Sequence, residues 1–142
     1  MGRIRWIAKT TEQKSVILIR LMVGLVFLSE GIQKFLFPDA NGVGRFTKIG
    51  LPEPEILAYV VASLEVVCGS LILLGLLTRL AVLPTIAIMI GAIATTKVPI
   101  LINAGFWQMA HDSRTDFSML LGSIFLLIVG AGSWSIDRKL GG

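Results

Sequence analysis

Four stretches of the chain run close to a membrane-spanning length with few polar interruptions. A spanning α-helix needs about 20 mostly apolar residues. The first stretch, Val16 to Phe37, is broken only by Arg20, Ser29, Glu30, Gln33 and Lys34. Pro38, Asp39, Asn41 and Gly42 follow it with turn chemistry, and the loop to Pro54 carries Gly44, Gly50 and Pro52. The second, Ile56 to Leu77, has Glu65 as its only charge, and the third, Leu80 to Thr96, has none. Only Thr78 and Arg79 separate these two, which predicts a tight antiparallel hairpin. Pro84 is tolerable near the start of a helix, where its missing N–H has no partner to lose. Lys97 and Pro99 are expected to close the third helix, and residues 98–115 read as a mixed loop. Its Phe106, Trp107 and Met109 suit the membrane interface. The fourth stretch, Phe117 to Gly132, is short unless it continues through Trp134.

The pattern therefore predicts an all-α membrane protein, a four-transmembrane-helix bundle in one domain over residues 1–142. The helices are expected at approximately 16–37, 56–77, 80–96 and 117–134, behind a basic tail over 1–14.

Composition agrees. Hydrophobic residues make up 54% of the chain and charged residues 15%, against roughly 25% charged in a soluble domain. The net charge of +4 is uneven, with Arg3, Arg5, Lys9 and Lys14 crowded at the start against Glu12 alone. Beside an apolar segment such a tail marks a cytoplasmic flank rather than a nucleic-acid site, so no nucleic-acid partner is expected. The first apolar stretch contains Glu30 and Lys34 and lacks a small-x-small cleavage pattern, so it reads as a retained helix rather than a signal peptide. With the N-terminus inside, the inner segments hold seven Lys and Arg (Arg3, Arg5, Lys9, Lys14, Arg79, Arg138, Lys139) and the longer outer segments five. Both termini are expected in the cytoplasm.

Charges inside a span are costly, face the bundle interior and often mark function. At 1.5 Å per residue, Arg20 falls roughly 10 Å to the cytoplasmic side of the midplane, Glu30 and Lys34 roughly 5 and 11 Å to the outer side, and Glu65 within about 2 Å of it. Helical side chains lean toward their own N-terminus, so Glu30, Lys34 and Glu65 converge while Arg20 leans away. Glu30 and Lys34 form a favourable i, i+4 pair. Glu65 then shares a low-dielectric region with a second carboxylate, and one of the two is expected to hold a proton. Such a cluster describes a proton relay or a polar site for a headgroup such as a quinone, and equally a structural polar plug. Arg20 has Asp137 as the one acid near the inner helix ends, which suggests a staple from the first helix to the end of the fourth; snorkelling to lipid phosphates is the alternative. Gly24, Gly31 and Gly69 are placed for close helix approach, or simply reflect the frequency of glycine in membrane helices.

The remaining chemistry is sparse. The single Cys68 allows no intrachain disulfide and reads as a small hydrophobe. The single His111 beside Asp112 more often faces solvent than forms an acid–base pair. No metal or flavin motif is present, so metal ligands are not expected and a redox role needs a borrowed cofactor or a partner chain.

The order and spacing of several pieces resemble the DoxX family of small bacterial membrane proteins. They are Arg20-Leu21, Gly24, Phe27, Gly31 and Lys34; Gly50-Leu51-Pro52; Glu65, Gly69 and Leu74-Gly75-Leu76-Leu77-Thr78-Arg79; and Gly130-Ala131-Gly132-Ser133-Trp134-Ser135-Ile136-Asp137. Where many members begin the fourth helix with a glutamate, this chain has the shorter Asp116. The resemblance implies a four-helix bundle in the bacterial inner membrane and similarity to subunits of thiosulfate:quinone oxidoreductase. On that basis the chain is expected to be a redox-associated subunit that binds a quinone between the first two helices, or supports a partner that does, with Glu65 and Glu30 handling protons and Lys34 setting their charge state. Its expected partners are the lipid bilayer and membrane or peripheral redox proteins, or further copies of itself. Two other readings stand beside it: a non-catalytic assembly or scaffold protein, and a small proton-coupled transporter.

Overall fold

The computed structural model describes Ile7 and residues 10–141; Arg3, Arg5 and Lys9 of the basic tail lie outside the described residues. Those residues are helical with no strand. Helix α1 spans Val16–Leu36; two short helices follow, α2 (Pro38–Asn41) and α3 (Val43–Ile49); then α4 spans Pro54–Leu74 and α5 Thr78–Ala92. A π-helical turn, Ile93–Lys97, carries α5 into α6 (Val98–Ala104); α7 (Phe106–Asp112), α8 (Arg114–Val129) and α9 (Ile136–Gly141) complete the chain.

Among the described residues, three helical segments are long and apolar enough to cross a membrane: Val16–Leu36, Pro54–Leu74 and Thr78–Ala104. The two of 21 residues are each about 31 Å long, close to the hydrocarbon thickness of a bilayer. Helix α8, at 16 residues, is shorter.

The long helices associate as two tight pairs, α1 with α4 and α5 with α8. Backbone proximity explains the first pair. A Cβ added at Gly24 would sit 3.0 Å from the Gly69 carbonyl oxygen, one at Gly69 would sit 2.8 Å from the Leu28 nitrogen, and one at Gly31 would sit 2.9 Å from the Ala62 oxygen. The glycines thus let main chain lie on main chain, which gains dispersion contacts where lipid offers no hydrophobic drive between helices. The second pair carries a buried polar link, the Thr85 hydroxyl donating to Ser123 Oγ at 3.1 Å. Val23, Phe27, Ile72, Val82 and Leu126, all but inaccessible, fill the space between the pairs.

Several boundaries differ from those the sequence suggests, each for a local reason. Gly75 in the left-handed conformation ends α4 at Leu74, so the hairpin turn is Gly75–Leu77, and Thr78 and Arg79 already belong to α5. Pro84 therefore sits inside α5 rather than in its first turn. Lys97 and Pro99 do not end the third helix. The π turn widens the backbone just before Pro99, and the Thr95 and Thr96 hydroxyls donate to the carbonyls of Gly91 and Ala92 at 2.8 and 2.5 Å. The expected loop 98–115 is two helices broken at Gly105, which has φ 93°. Helix α8 starts three residues early on Arg114-Thr115-Asp116 and stops at Val129, because Gly130 and Gly132, at φ 83° and 86°, turn the chain back.

The two ends of the molecule differ. At one end the segment before α1 meets the segment after α8: Thr11 N donates to Val129 O at 3.0 Å and Ser133 N to Gln13 O at 3.3 Å. The Lys14 ammonium lies 5.6 Å from the Trp134 ring centre. At the opposite end the helix pairs separate around a cavity roofed by α2 and α3.

Candidate functional site

The cavity has a volume of about 620 Å³ and draws its walls from α1, α3, α4, α5, the π turn and α8. Sites for small molecules commonly run 300–1,000 Å³. Its deeper wall is apolar, with Val26, Phe27, Pro84, Ile88 and Met119. Its charged lining is balanced: Glu30, Glu65 and Asp116 against Lys34, Arg45 and Lys97.

Four of these charges form two ion pairs. Lys34 Nζ on α1 lies 2.7 Å from Glu65 Oε1 on α4, with the Glu65 side chain 2% exposed. Lys97 Nζ lies 3.0 Å from Asp116 Oδ2 on α8. Each pair ties together one of the two helix pairs, and each sits in the cavity wall. An intramembrane carboxylate with an ammonium counter-charge and a cavity on its open side can exchange its partner for a ligand's hydrogen-bonding group without being left uncompensated. Glu30 and Arg45 line the same space but are exposed, and neither is in an ion pair.

The pairing differs from the one the helix spacing suggests. Lys34 reaches across to Glu65 instead of back one turn to Glu30. Glu65 is almost wholly buried within the protein and needs the counter-charge, whereas Glu30 is not enclosed by protein and opens on the cavity.

Arg20 and Asp137 belong to the opposite end. Arg20 is 3% exposed, and its guanidinium donates to backbone carbonyls alone: Nε to Ile72 O at 3.0 Å, Nη2 to Leu73 O at 2.9 Å, and Nη1 to Ala131 O at 3.0 Å and to Trp134 O. It thereby satisfies the last carbonyls of α4 and holds the 131–134 segment against them. Asp137, 1% exposed, accepts from Leu77 N at 2.7 Å and Thr78 N at 2.9 Å. It caps the start of α5 and holds Leu77 at φ 50°, while Asp137 N donates to Gly75 O at 2.8 Å. The expected Arg20–Asp137 ion pair is not formed. Both charges converge on the Gly75–Leu77 turn, but each is spent on main chain, the guanidinium on carbonyls and the carboxylate on amides. Arg79 Nη2 donates to Ile128 O at 3.0 Å, adding a link from α5 to α8.

Cys68 is buried in the α4 core. His111 is exposed on α7, outside the cavity, and Asp112 accepts from Gln108 at 3.0 Å rather than from the histidine. Sequence reasoning missed Lys97 and Arg45 as cavity residues, since Lys97 was expected to end a helix. The usable signal was that Lys97 and Asp116 flank one loop with opposite charges at the same expected membrane face.

Comparison with known proteins places this arrangement. The DoxX family model matches residues 15–98, the segment that supplies Arg20, Lys34, Glu65 and the close-packed glycines. The uncharacterized membrane protein Rv3486 of Mycobacterium tuberculosis is 57% identical, covering 89% of this chain and 81% of the relative. CatD of Bacillus subtilis, named as a candidate oxidoreductase, is 33% identical, covering 85% of this chain and 83% of its own. The inner membrane protein YphA of Escherichia coli is 27% identical, covering 87% of this chain and 89% of its own. No solved structure matches. Apolar helices of spanning length, a polar cavity set among them and relatives named for the membrane they occupy lead to one assignment: the chain is a multi-pass inner-membrane protein and belongs to the DoxX family.

Proposed function

We propose that this protein is a membrane subunit associated with redox chemistry, and that its cavity receives the headgroup of a quinone. The observation that carries the reading is the Lys34–Glu65 pair at 2.7 Å, set in the wall of a cavity large enough for a substituted ring. The redox association draws on the similarity to CatD. Reducing a quinone to a quinol takes two electrons and two protons. A redox partner protein supplies the electrons. Glu65 and Glu30, each first protonated from water, would deliver one proton apiece to the ring oxygens; the Lys34 ammonium would then balance the ionised Glu65, the state of the 2.7 Å pair, until water returns the proton. In this reading α8 crosses the membrane as a fourth helix and both termini lie in the cytoplasm, as the Lys and Arg distribution favours.

The test is Glu65→Gln, which keeps the shape and loses the titratable proton. In the unsubstituted protein, purified in mild detergent, bound quinone is expected near stoichiometry and quinol formation with its native partner proceeds. Glu65→Gln is expected to retain fold while quinol formation drops at least about tenfold, in the range of losing a positioned general acid. Undiminished turnover in this variant overturns proton handling by Glu65.

One observation favours a second reading, an assembly protein. Helices α6 and α7 touch chiefly each other and their chain neighbours, and they leave Ile102 76% and Trp107 82% exposed. A partner captured through this hairpin, with turnover indifferent to Glu65, would favour it.

A further inference from the structure

The cavity has two kinds of rim. The lining residues that are also exposed fall into a polar group (Glu30, Arg45, Thr115) and an apolar group (Leu64, Ala87, Gly91). The polar group lies on α1, α3 and α8. The apolar group lies where α4 faces α5. These two helices are joined only by the Gly75–Leu77 turn at the far end, and there Arg20 and Asp137 clamp them.

Their facing sides are continuous stripes, Leu57, Val61 and Leu64 on α4 and Pro84, Ala87 and Gly91 on α5. Gly91 is thirteen residues after Thr78, about 20 Å along the helix, which puts it inside the apolar layer. It differs from the glycines of the α1–α4 contact: a Cβ built on it meets no atom within 4 Å. Nothing in the packing requires a glycine there, and a glycine in mid-helix costs up to about 1 kcal/mol relative to alanine. A side chain there would project into the open space at the cavity rim.

We infer that the cleft between α4 and α5 at Leu64, Ala87 and Gly91 is a lateral portal through which an amphipathic, lipid-soluble ligand enters from the bilayer, its polar head reaching the Lys34–Glu65 pair while its apolar tail remains in the cleft. The route rests on the cavity being a ligand site, as proposed above, but the experiment separates the two.

The first measurement needs no ligand. A nitroxide is attached at position 91 in a Cys68→Ala, Gly91→Cys background and, for comparison, at the lipid-facing position 90 in Cys68→Ala, Ile90→Cys, both reconstituted in phosphatidylcholine vesicles. A portal open to lipid gives collision with oxygen at position 91 comparable to position 90 and little collision with a polar nickel chelate. Strong nickel collision, meaning a water-filled opening, or weak collision with both reagents, meaning a sealed wall, overturns the portal.

The second measurement uses decylubiquinone as probe. Gly91→Phe is expected to weaken its binding at least about tenfold, the scale of a filled apolar pocket. Ile90→Phe, which places the same ring outside the cavity lining, leaves binding within about twofold, a shift of a few tenths of a kcal/mol. Equal affinities of Gly91→Phe and the unsubstituted protein overturn the portal. If the unsubstituted protein binds no decylubiquinone, the quinone reading falls while a lipid-facing label at position 91 still establishes the portal.

Discussion

The two ends of the bundle hold their charges in opposite ways. At the end where residues 10–14 meet residues 129–134, Arg20 and Asp137 are bound to main chain. At the cavity end, Lys34, Glu65, Lys97 and Asp116 are bound to one another. A side chain that satisfies backbone groups is part of the frame, because its partners cannot be substituted away. A side chain paired with another can be removed together with its partner, and a buried ion pair replaced as a unit is often neutral in stability. Charges that the fold could do without, facing a cavity, are the ones to suspect of chemistry.

Variants can break this contrast or sharpen it. The largest effect is expected for Arg20→Ala, which strips hydrogen bonds from the carbonyls of Ile72, Leu73, Ala131 and Trp134. A loss of about 4 kcal/mol or more follows from charge-assisted bonds of roughly 1.5–3 kcal/mol each. Thermal unfolding in detergent should show a collapse of the transition, and no single second substitution should restore it. Next is Lys34→Met, which leaves Glu65 buried without its counter-charge and should cost about 3 kcal/mol. Adding Glu65→Leu should bring stability back to within about 1 kcal/mol of the starting protein. If the double variant is as unstable as the single one, the cavity pair belongs to the frame and the contrast fails.

Asp137→Ala removes the cap on Leu77 and Thr78 and should cost about 1–2 kcal/mol. Faster hydrogen exchange should be confined to the first turn of α5, with the cavity end unchanged. The smallest effect carries the opposite sign: Gly91→Ala should stabilise by up to about 1 kcal/mol, whereas a Cβ at Gly69 would meet the Leu28 nitrogen at 2.8 Å and must push α1 from α4. The two alanine variants, compared by thermal unfolding, separate glycines that close a contact from one that keeps a gap.

The apolar runs were long enough to announce membrane helices without any structure, and the clustering of Glu30, Lys34 and Glu65 followed from helix rise and side-chain lean. Partner choice was not legible. Helix spacing offered Glu30 to Lys34, but burial decided for Glu65, and burial belongs to the packed bundle. Charge counting offered Asp137 to Arg20, and overlooked that helix ends and turns present unsatisfied carbonyls and amides, which competed for both groups and won. Lys97 and Pro99 read as a stop, because nothing in local propensity reveals that a π turn and two threonine hydroxyls can carry a helix past them. The cavity itself is a property of how two helix pairs diverge, which no single stretch of sequence encodes.

The reach of the Arg20 contacts has a consequence for how the molecule is made. Two of its acceptors, Ala131 and Trp134, lie 111 and 114 residues downstream, so they are made after all four long helices. During synthesis the first helix enters the bilayer carrying a guanidinium with much of its hydrogen-bonding capacity unmet, and the clamp at that end cannot close before residue 134 has been made. A chain cut after residue 130 keeps all of α1, α4, α5 and α8, yet leaves Arg20 with the Ile72 and Leu73 carbonyls alone. Such a copy holds every long helix and lacks the segment that fastens the first of them to the last.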